Sequence, residues 1–146
     1  MFEKRYYPDG SSYVNVLEFK NFTVYLNSYE DLWTLAQIRE VYKFNNCNAE
    51  VTIPCLLDAQ ADRRFDKNQS FSLKLVCKFI NDMGWSKVRI FHPHNSEVVE
   101  ALIDNVEIID NSILLSNVLN DLKDYSLMST DAGGYKWLMK IADKIG

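Results

Sequence analysis

The chain has 146 residues, of which 47% are hydrophobic and 25% charged, with a formal net charge of −4. That length is enough for one domain with a real buried core, and the composition is ordinary for a soluble globular protein. A general nucleic-acid surface, normally basic, is disfavoured, and no apolar run approaches the roughly 20 residues of a membrane span.

In chain order, residues 12–17 and 21–26 alternate as two strands joined by a short turn at 18–20, a hairpin-like start. Ser28 can cap the next helix, with Asp31 at its third position, and Leu32, Leu35, Ile38 and Val41 recur at helical spacing. An apolar strand follows over 50–57. A second helix begins at Ser70 or Ser72, turns Leu73, Val76, Cys77 and Ile80 inward, and ends near Gly84. Residues 87–91 read as a strand, 96–103 as a helix and 106–109 as a short strand. Asn111 caps a helix over 113–122, and 125–128 and 135–145 read as a last strand and helix. Such alternating βα units predict an α/β fold with a mostly parallel sheet covered on both faces, a three-layer arrangement. No linker, repeat or low-complexity segment interrupts it.

Three cysteines, Cys47, Cys55 and Cys77, have no metal-ligand spacing, and an odd count suits a reducing compartment. Cys55 and Cys77 lie in apolar runs and read as small core residues. The opening MFEKRYYPDG is polar and aromatic, unlike an apolar leader, so a cytoplasmic location is expected.

Ligands of open α/β sheets sit beyond the carboxyl ends of the strands. Three unusual loops occupy such ends. Asp62, Arg63, Arg64 and Lys67 follow the 50–57 strand, His92 and His94 follow the 87–91 strand, and Asp131, Gly133, Gly134 and Lys136 follow 125–128. Gathered on one rim, these groups suit a metal-bound polyphosphate. Each also has a plainer reading: a solvated charged loop at 62–67, a hydrogen-bonded loop histidine at His94, an exposed helix lysine at Lys74, and glycines that permit a tight turn into a helix. Bare amides at a helix start can alternatively cradle phosphate oxygens.

The segments IPCLLDAQADRRF, SFSLKLV, FHPHNSEVVEAL and STDAGGYKWLMKIADKIG, in that order, resemble the N-terminal half of ribose-phosphate pyrophosphokinase, the phosphoribosyl-pyrophosphate synthetase. Upstream, YYPDGSSYVNV and SYEDLWTLAQIREVYK extend the likeness. The resemblance implies a type I phosphoribosyltransferase-like fold, with residues 1–124 as the first domain and 125–146 as the start of a second or a docked strand-helix. It implies Mg2+ ligation by His94 and Asp131. It implies ATP contact by the segment of Gln60, Asp62, Arg63 and Arg64, and pyrophosphate contact by Gly133, Gly134 and Lys136. Tyr7, Asp9 and Ser11 stand where the family holds adenine across a subunit interface, which implies a homo-oligomer or association with a longer subunit.

The departures are specific. Gln60 and Ala61 stand where the family has arginine then glutamine, and glutamine offers dipoles where arginine offers a charge and a fork of donors. His92 stands for an aspartate, Ser11 for a glutamate and Trp137 for a basic residue. The family's opening strand and helix would precede Met1, and its second-domain catalytic and ribose-phosphate loops do not occur, so no catalytic residue is assigned. The activity implied is transfer of diphosphate from Mg·ATP to ribose 5-phosphate, incomplete in the isolated chain. The alternative is a non-catalytic homologue acting as an assembly or regulatory partner.

Overall fold

The chain opens on a hairpin whose turn is Pro8-Asp9-Gly10. In the computed structural model, which describes residues 1–119, 122 and 125–145, strand β1 (Phe2–Tyr6) pairs antiparallel with β2 (Ser12–Val16). Gly10 has φ +87°, a region that disfavours side chains. The Tyr7 amide donates to the Ser11 carbonyl at 2.8 Å and the Gly10 amide to the Tyr7 carbonyl at 2.9 Å. The expected pairing of 12–17 with 21–26 is thus corrected: β2 pairs backwards onto β1. Strand β3 (Phe22–Thr23) instead runs parallel to β4 (Glu50–Ile53). Alternation locates strands without choosing their partners, and here the Pro-Asp-Gly turn makes the choice.

Three βα crossovers follow. Helix α1 (Tyr29–Phe44) starts as expected, with the Ser28 hydroxyl accepting the Asp31 amide at 3.2 Å and the Asp31 carboxylate accepting the Asn27 amide at 3.0 Å. Strand β4 ends earlier than the apolar run 50–57 implied, because Pro54 has no amide to donate to a ladder. Helix α2 (Ser72–Met83) closes on Gly84 in the left-handed region, φ +65°. Strand β5 (Lys87–Phe91), helix α3 (Ser96–Leu102) and strand β6 (Val106–Ile109) complete the series.

The parallel sheet has order β3-β4-β5-β6, with Val51 opposite Val88, Ile53 opposite Ile90, and Ile90 opposite Ile108. Strands laid down in chain order with right-handed crossovers put every connecting helix on the same face. Accordingly α1 packs on α2 and α2 on α3. Val51, Ile53, Val88 and Ile90 point under them, and with Leu35, Ile38, Leu73, Val76, Cys77, Ile80 and Val99 form one buried cluster. Tyr42, rather than the half-buried Val41, takes the inner position at the end of α1. Its hydroxyl donates to the Lys20 carbonyl at 2.9 Å, and its ring lies 5.0 Å from Phe19 and 6.1 Å from Trp85. Cys77 is in the core, but Cys55 is exposed, since it falls after Pro54 outside the strand.

The alternate residues of the strands face the other way and are polar. Arg89 of β5 reaches Glu50 of β4 at 2.6 Å and Glu107 of β6 at 3.0 Å, and Lys87 lies 3.3 Å from Glu107. The first unit, residues 1–109, thus supplies the sheet and one helical layer.

The second unit, residues 110–146, contains α4 (Ser112–Leu119) and α5 (Ala132–Ile145). Of the helix expected over 113–122, residues 120 and 121 lie outside the described residues, as does the domain boundary at 124, while Leu122 is described and is not helical. Residues 125–128 form no strand, contrary to expectation; among the described residues no strand pairs with them, and an unpaired strand leaves its backbone groups unsatisfied. Helix α5 starts three residues before the expected 135.

The two-faced sheet makes a direct prediction. Ile90→Ala should destabilise the chain by about 2–5 kcal/mol, as expected for a fully buried aliphatic residue. Arg89→Ala, one residue away on the polar face, should cost far less. Urea unfolding of the two variants checks the difference.

Candidate functional site

The carboxyl ends of β3, β4 and β5 lie on one edge of the parallel sheet, and the chain segments leaving them touch. From the end of β3, α1 presents Tyr29, whose hydroxyl donates to the Asp58 carboxylate at 2.9 Å. Within the loop after β4, Asp58 has φ +56°, and the Ala61 amide donates to its carbonyl at 2.8 Å. That tight turn leaves Gln60 exposed and buries Asp62.

Asp62 is 5% exposed and is the hub of this edge. Its two oxygens accept Arg63 Nε at 2.8 Å and Arg63 Nη2 at 2.9 Å, and one also accepts Asn95 Nδ2 at 2.8 Å. Asn95 belongs to the loop after β5, so the two predicted loops meet at this carboxylate. The fork fixes one edge of the Arg63 guanidinium and leaves its remaining donors turned elsewhere. Arg64 and Lys67 are exposed, and further along the loop the Phe65 amide donates to Gln69 Oε1 at 3.0 Å.

In the loop after β5, His92 has φ +39° and its amide donates to the Ile109 carbonyl at 2.9 Å. Pro93 is buried, and His94 is exposed between Pro93 and Asn95. Asn95 caps α3, its Oδ1 accepting the Val98 amide at 3.3 Å. Lys74, on α2, is exposed.

The hairpin residues singled out in the sequence sit at its turn and are exposed. Asp9 Oδ1 accepts both the Ser11 amide at 2.9 Å and the Ser11 hydroxyl at 2.7 Å, and the Tyr7 ring lies 4.8 Å from that of Tyr13. In the second unit, Gly133 and Gly134 are the second and third residues of α5 and not a turn before it. Asp131 caps that helix: its Oδ1 accepts the Gly134 amide at 2.7 Å. A side chain on Gly134 would meet Ser129 Oγ at 2.9 Å, so the Ser129 hydroxyl would have to turn away to admit one. Lys136 is exposed.

Sequence patterns located both loops of the first unit but missed Asn95, Asp58 and Tyr29. Asn95 carries a legible helix-start signal; its bond to Asp62 spans 33 positions and has none. Among the described residues no group of three His, Cys, Asp or Glu side chains is placed to hold a metal ion.

The fork from Arg63, then the Asn95 amide, holds the Asp62 carboxyl far below its usual range, with burial opposing them. A carboxyl whose folded pKa is depressed stabilises the fold above its unfolded pKa, near 4, and loses that contribution as pH falls through the folded value. Asp62→Asn should therefore be less stable than the parent at pH 7. The gap should narrow steadily below pH 4, and thermal melts across that range check it.

No protein-family profile matches this chain. It is 23% identical, over a 155-residue alignment, to the ribose-phosphate pyrophosphokinase of Sulfolobus acidocaldarius, an alignment covering 99% of this chain and 53% of that protein. Its fold is similar to the crystal structure of phosphoribosylpyrophosphate synthetase from Mycobacterium smegmatis, with a TM-score of 0.83 and 17% identity, covering 100% of this chain and 53% of that one. The chain thus spans about half the length of each. Both comparisons bear out the resemblance that the motifs carry: this chain is similar, over its whole length, to about half of a ribose-phosphate pyrophosphokinase.

Proposed function

We propose that this chain handles the nucleotide in a ribose-phosphate pyrophosphokinase-like protein, which transfers diphosphate from Mg·ATP to ribose 5-phosphate. The observation that supports this reading best is the junction of the loops after β4 and β5 at Asp62, which sets Arg63, Arg64 and His94 on the carboxyl edge of a parallel sheet. In the reaction, the 1-hydroxyl oxygen of ribose 5-phosphate bonds to the β-phosphorus as that phosphorus loses its bond to the bridging oxygen, and AMP leaves. Such transfer depends on positioning and on neutralising phosphate charge rather than on covalent steps by the protein. Arg64, Lys67 and the donors of Arg63 that Asp62 leaves unused supply positive charge here. Gln60 supplies only dipoles.

The donor chemistry fits Mg2+ as a nucleotide complex. Magnesium keeps several waters and takes one or two protein groups plus phosphate oxygens, so a protein cage of three ligands is not required. His94 in the first unit and Asp131 in the second are the assigned contacts, each to be tested alone; the metal, when bound, neutralises phosphate charge. Gly133, Gly134 and Lys136 are assigned to pyrophosphate. Tyr7, Asp9 and Ser11 are assigned to the adenine of a neighbouring subunit, which makes the chain a self-associating protein or a partner of a longer subunit. Among the described residues no helix is long and apolar enough to cross a membrane, and a cytoplasmic location belongs to the same proposal.

One feature favours a second reading, a non-catalytic assembly or regulatory partner. The amide of Gly134 that would meet phosphate is already taken by Asp131. Calorimetric titration separates the two. The parent chain should bind Mg·ATP saturably, and Arg64→Ala should bind about ten- to a hundredfold more weakly, the loss expected for one charged hydrogen bond. His94→Ala and Asp131→Ala should each reduce the dependence on Mg2+. The isolated chain should release no AMP in the presence of ribose 5-phosphate. Equal binding by the parent and all three variants would remove these residues from any nucleotide site.

A further inference from the structure

We propose that Asn95 is a positioning residue, whose side-chain amide fixes the His94 loop against the loop of Arg63 and Arg64. Its functional consequence rests on the nucleotide reading above; its structural content does not. Asn95 uses both ends of its amide. Oδ1 accepts the Val98 amide at 3.3 Å and so caps α3, and Nδ2 donates to Asp62 Oδ2 at 2.8 Å. The two partners dictate the amide's orientation. Rotated by half a turn, the oxygen would face a carboxylate and the NH2 group would face an N–H, and both contacts would be repulsive.

Capping alone does not call for asparagine. Serine, threonine and aspartate cap helices as well or nearly so. Serine and threonine lack a second donor at that reach, and aspartate would set a carboxylate against Asp62. Only asparagine meets both requirements, and Asp62, in turn, is held by the two donors of Arg63. A single buried carboxylate therefore sets the guanidinium of one loop and the anchor of the other. His94 lies between that anchor and the buried Pro93, so the backbone that carries its exposed side chain is held at both flanks.

The test uses the intact chain, with no ligand, compared with Asn95→Ser and Asn95→Asp. Both variants retain a capping oxygen, so α3 should persist, while the melting temperature should fall modestly in Asn95→Ser and further in Asn95→Asp, which sets a second carboxylate against Asp62. The Nε–H resonance of Arg63 and the backbone amides of 58–69 should nevertheless shift, and amide exchange should accelerate about tenfold in both loops, as for loss of one hydrogen bond to a charged acceptor. Asn95→Asp should show the larger effect. Asp62→Ala should disturb 92–95 in the same way, and adding Asn95→Ser to it should change little more. Effects confined to residues 92–98, with Arg63 unmoved, would overturn the proposal, and the two Asn95 variants decide this even if Asp62→Ala does not fold. Titration with Mg·ADP then separates the two levels. A parent chain that binds no Mg·ADP while the loops remain coupled would sink the nucleotide reading and leave the positioning role standing. Unchanged affinity in Asn95→Ser, with parent binding intact, would overturn the functional half of the inference.

Discussion

The candidate site depends on one buried carboxylate. A charge removed from water is costly unless it is paired and hydrogen-bonded, and Asp62 is tolerated because the Arg63 fork and the Asn95 amide both point at it. The constraint acts in both directions. The carboxylate needs its donors, and the donors are thereby fixed in place, one in each of two loops that follow different strands. Arg63 is about half exposed while its partner is buried, so the pair straddles the boundary of the fold: one end is set by the interior and the other is offered to solvent. The bidentate geometry matters here, since a lysine at position 63 would satisfy the charge without fixing a direction.

The same edge is shaped by the order in which the strands are laid down. Because β3, β4, β5 and β6 follow one another across the sheet, α1, α2 and α3 all fall on one side. The apolar residues of β4 and β5 are therefore needed only on alternate positions, and the intervening ones are free to be Glu50, Thr52, Lys87 and Arg89. A parallel strand buried on both faces reads as a continuous apolar run. The mixture of charge and aliphatic side chains in EVTI and KVRIF is the pattern of a strand buried on one face only, and the ion pairs Glu50–Arg89–Glu107 make use of the other.

What the sequence made legible follows from the range of the interactions concerned. The start of α1, the Gly84 stop and most of the inward positions of α1 and α2 are set by local signals and helical spacing and are legible in the sequence, whereas at the end of α1 it is Tyr42 and not Val41 that turns inward. Strand partnership is set by the turn chemistry of Pro8-Asp9-Gly10 as much as by alternation, so alternation alone does not reveal that β2 pairs with β1 and β3 with β4. The predicted strand at 125–128 had suitable side chains but no neighbouring strand to pair with, a condition that propensity cannot express. At the site, both charged loops were legible as exceptions to an apolar pattern. Asn95 and Tyr29 were not, because their significance lies in carboxylates 33 and 29 positions away.

The glycine pair at 133 and 134 shows how a motif and its geometry can separate. Bare amides at a helix start attract any anion, and the nearest one is supplied by the chain itself: Asp131 caps α5 through the Gly134 amide, and the Ser129 hydroxyl donates to the Asp131 carbonyl at 2.6 Å. A phosphate at this position would compete with a tethered carboxylate that needs no translational entropy to bind, and the displaced charge would remain nearby to repel it. Local affinity for phosphate at α5 is therefore reduced by the residue that the resemblance assigns to metal. A cation beside Asp131 would offset the charge repulsion but would leave the Gly134 amide occupied by the carboxylate. The physical case for phosphate recognition without metal thus rests on the first unit, where Arg64 and Lys67 are exposed and Arg63 is already oriented by Asp62.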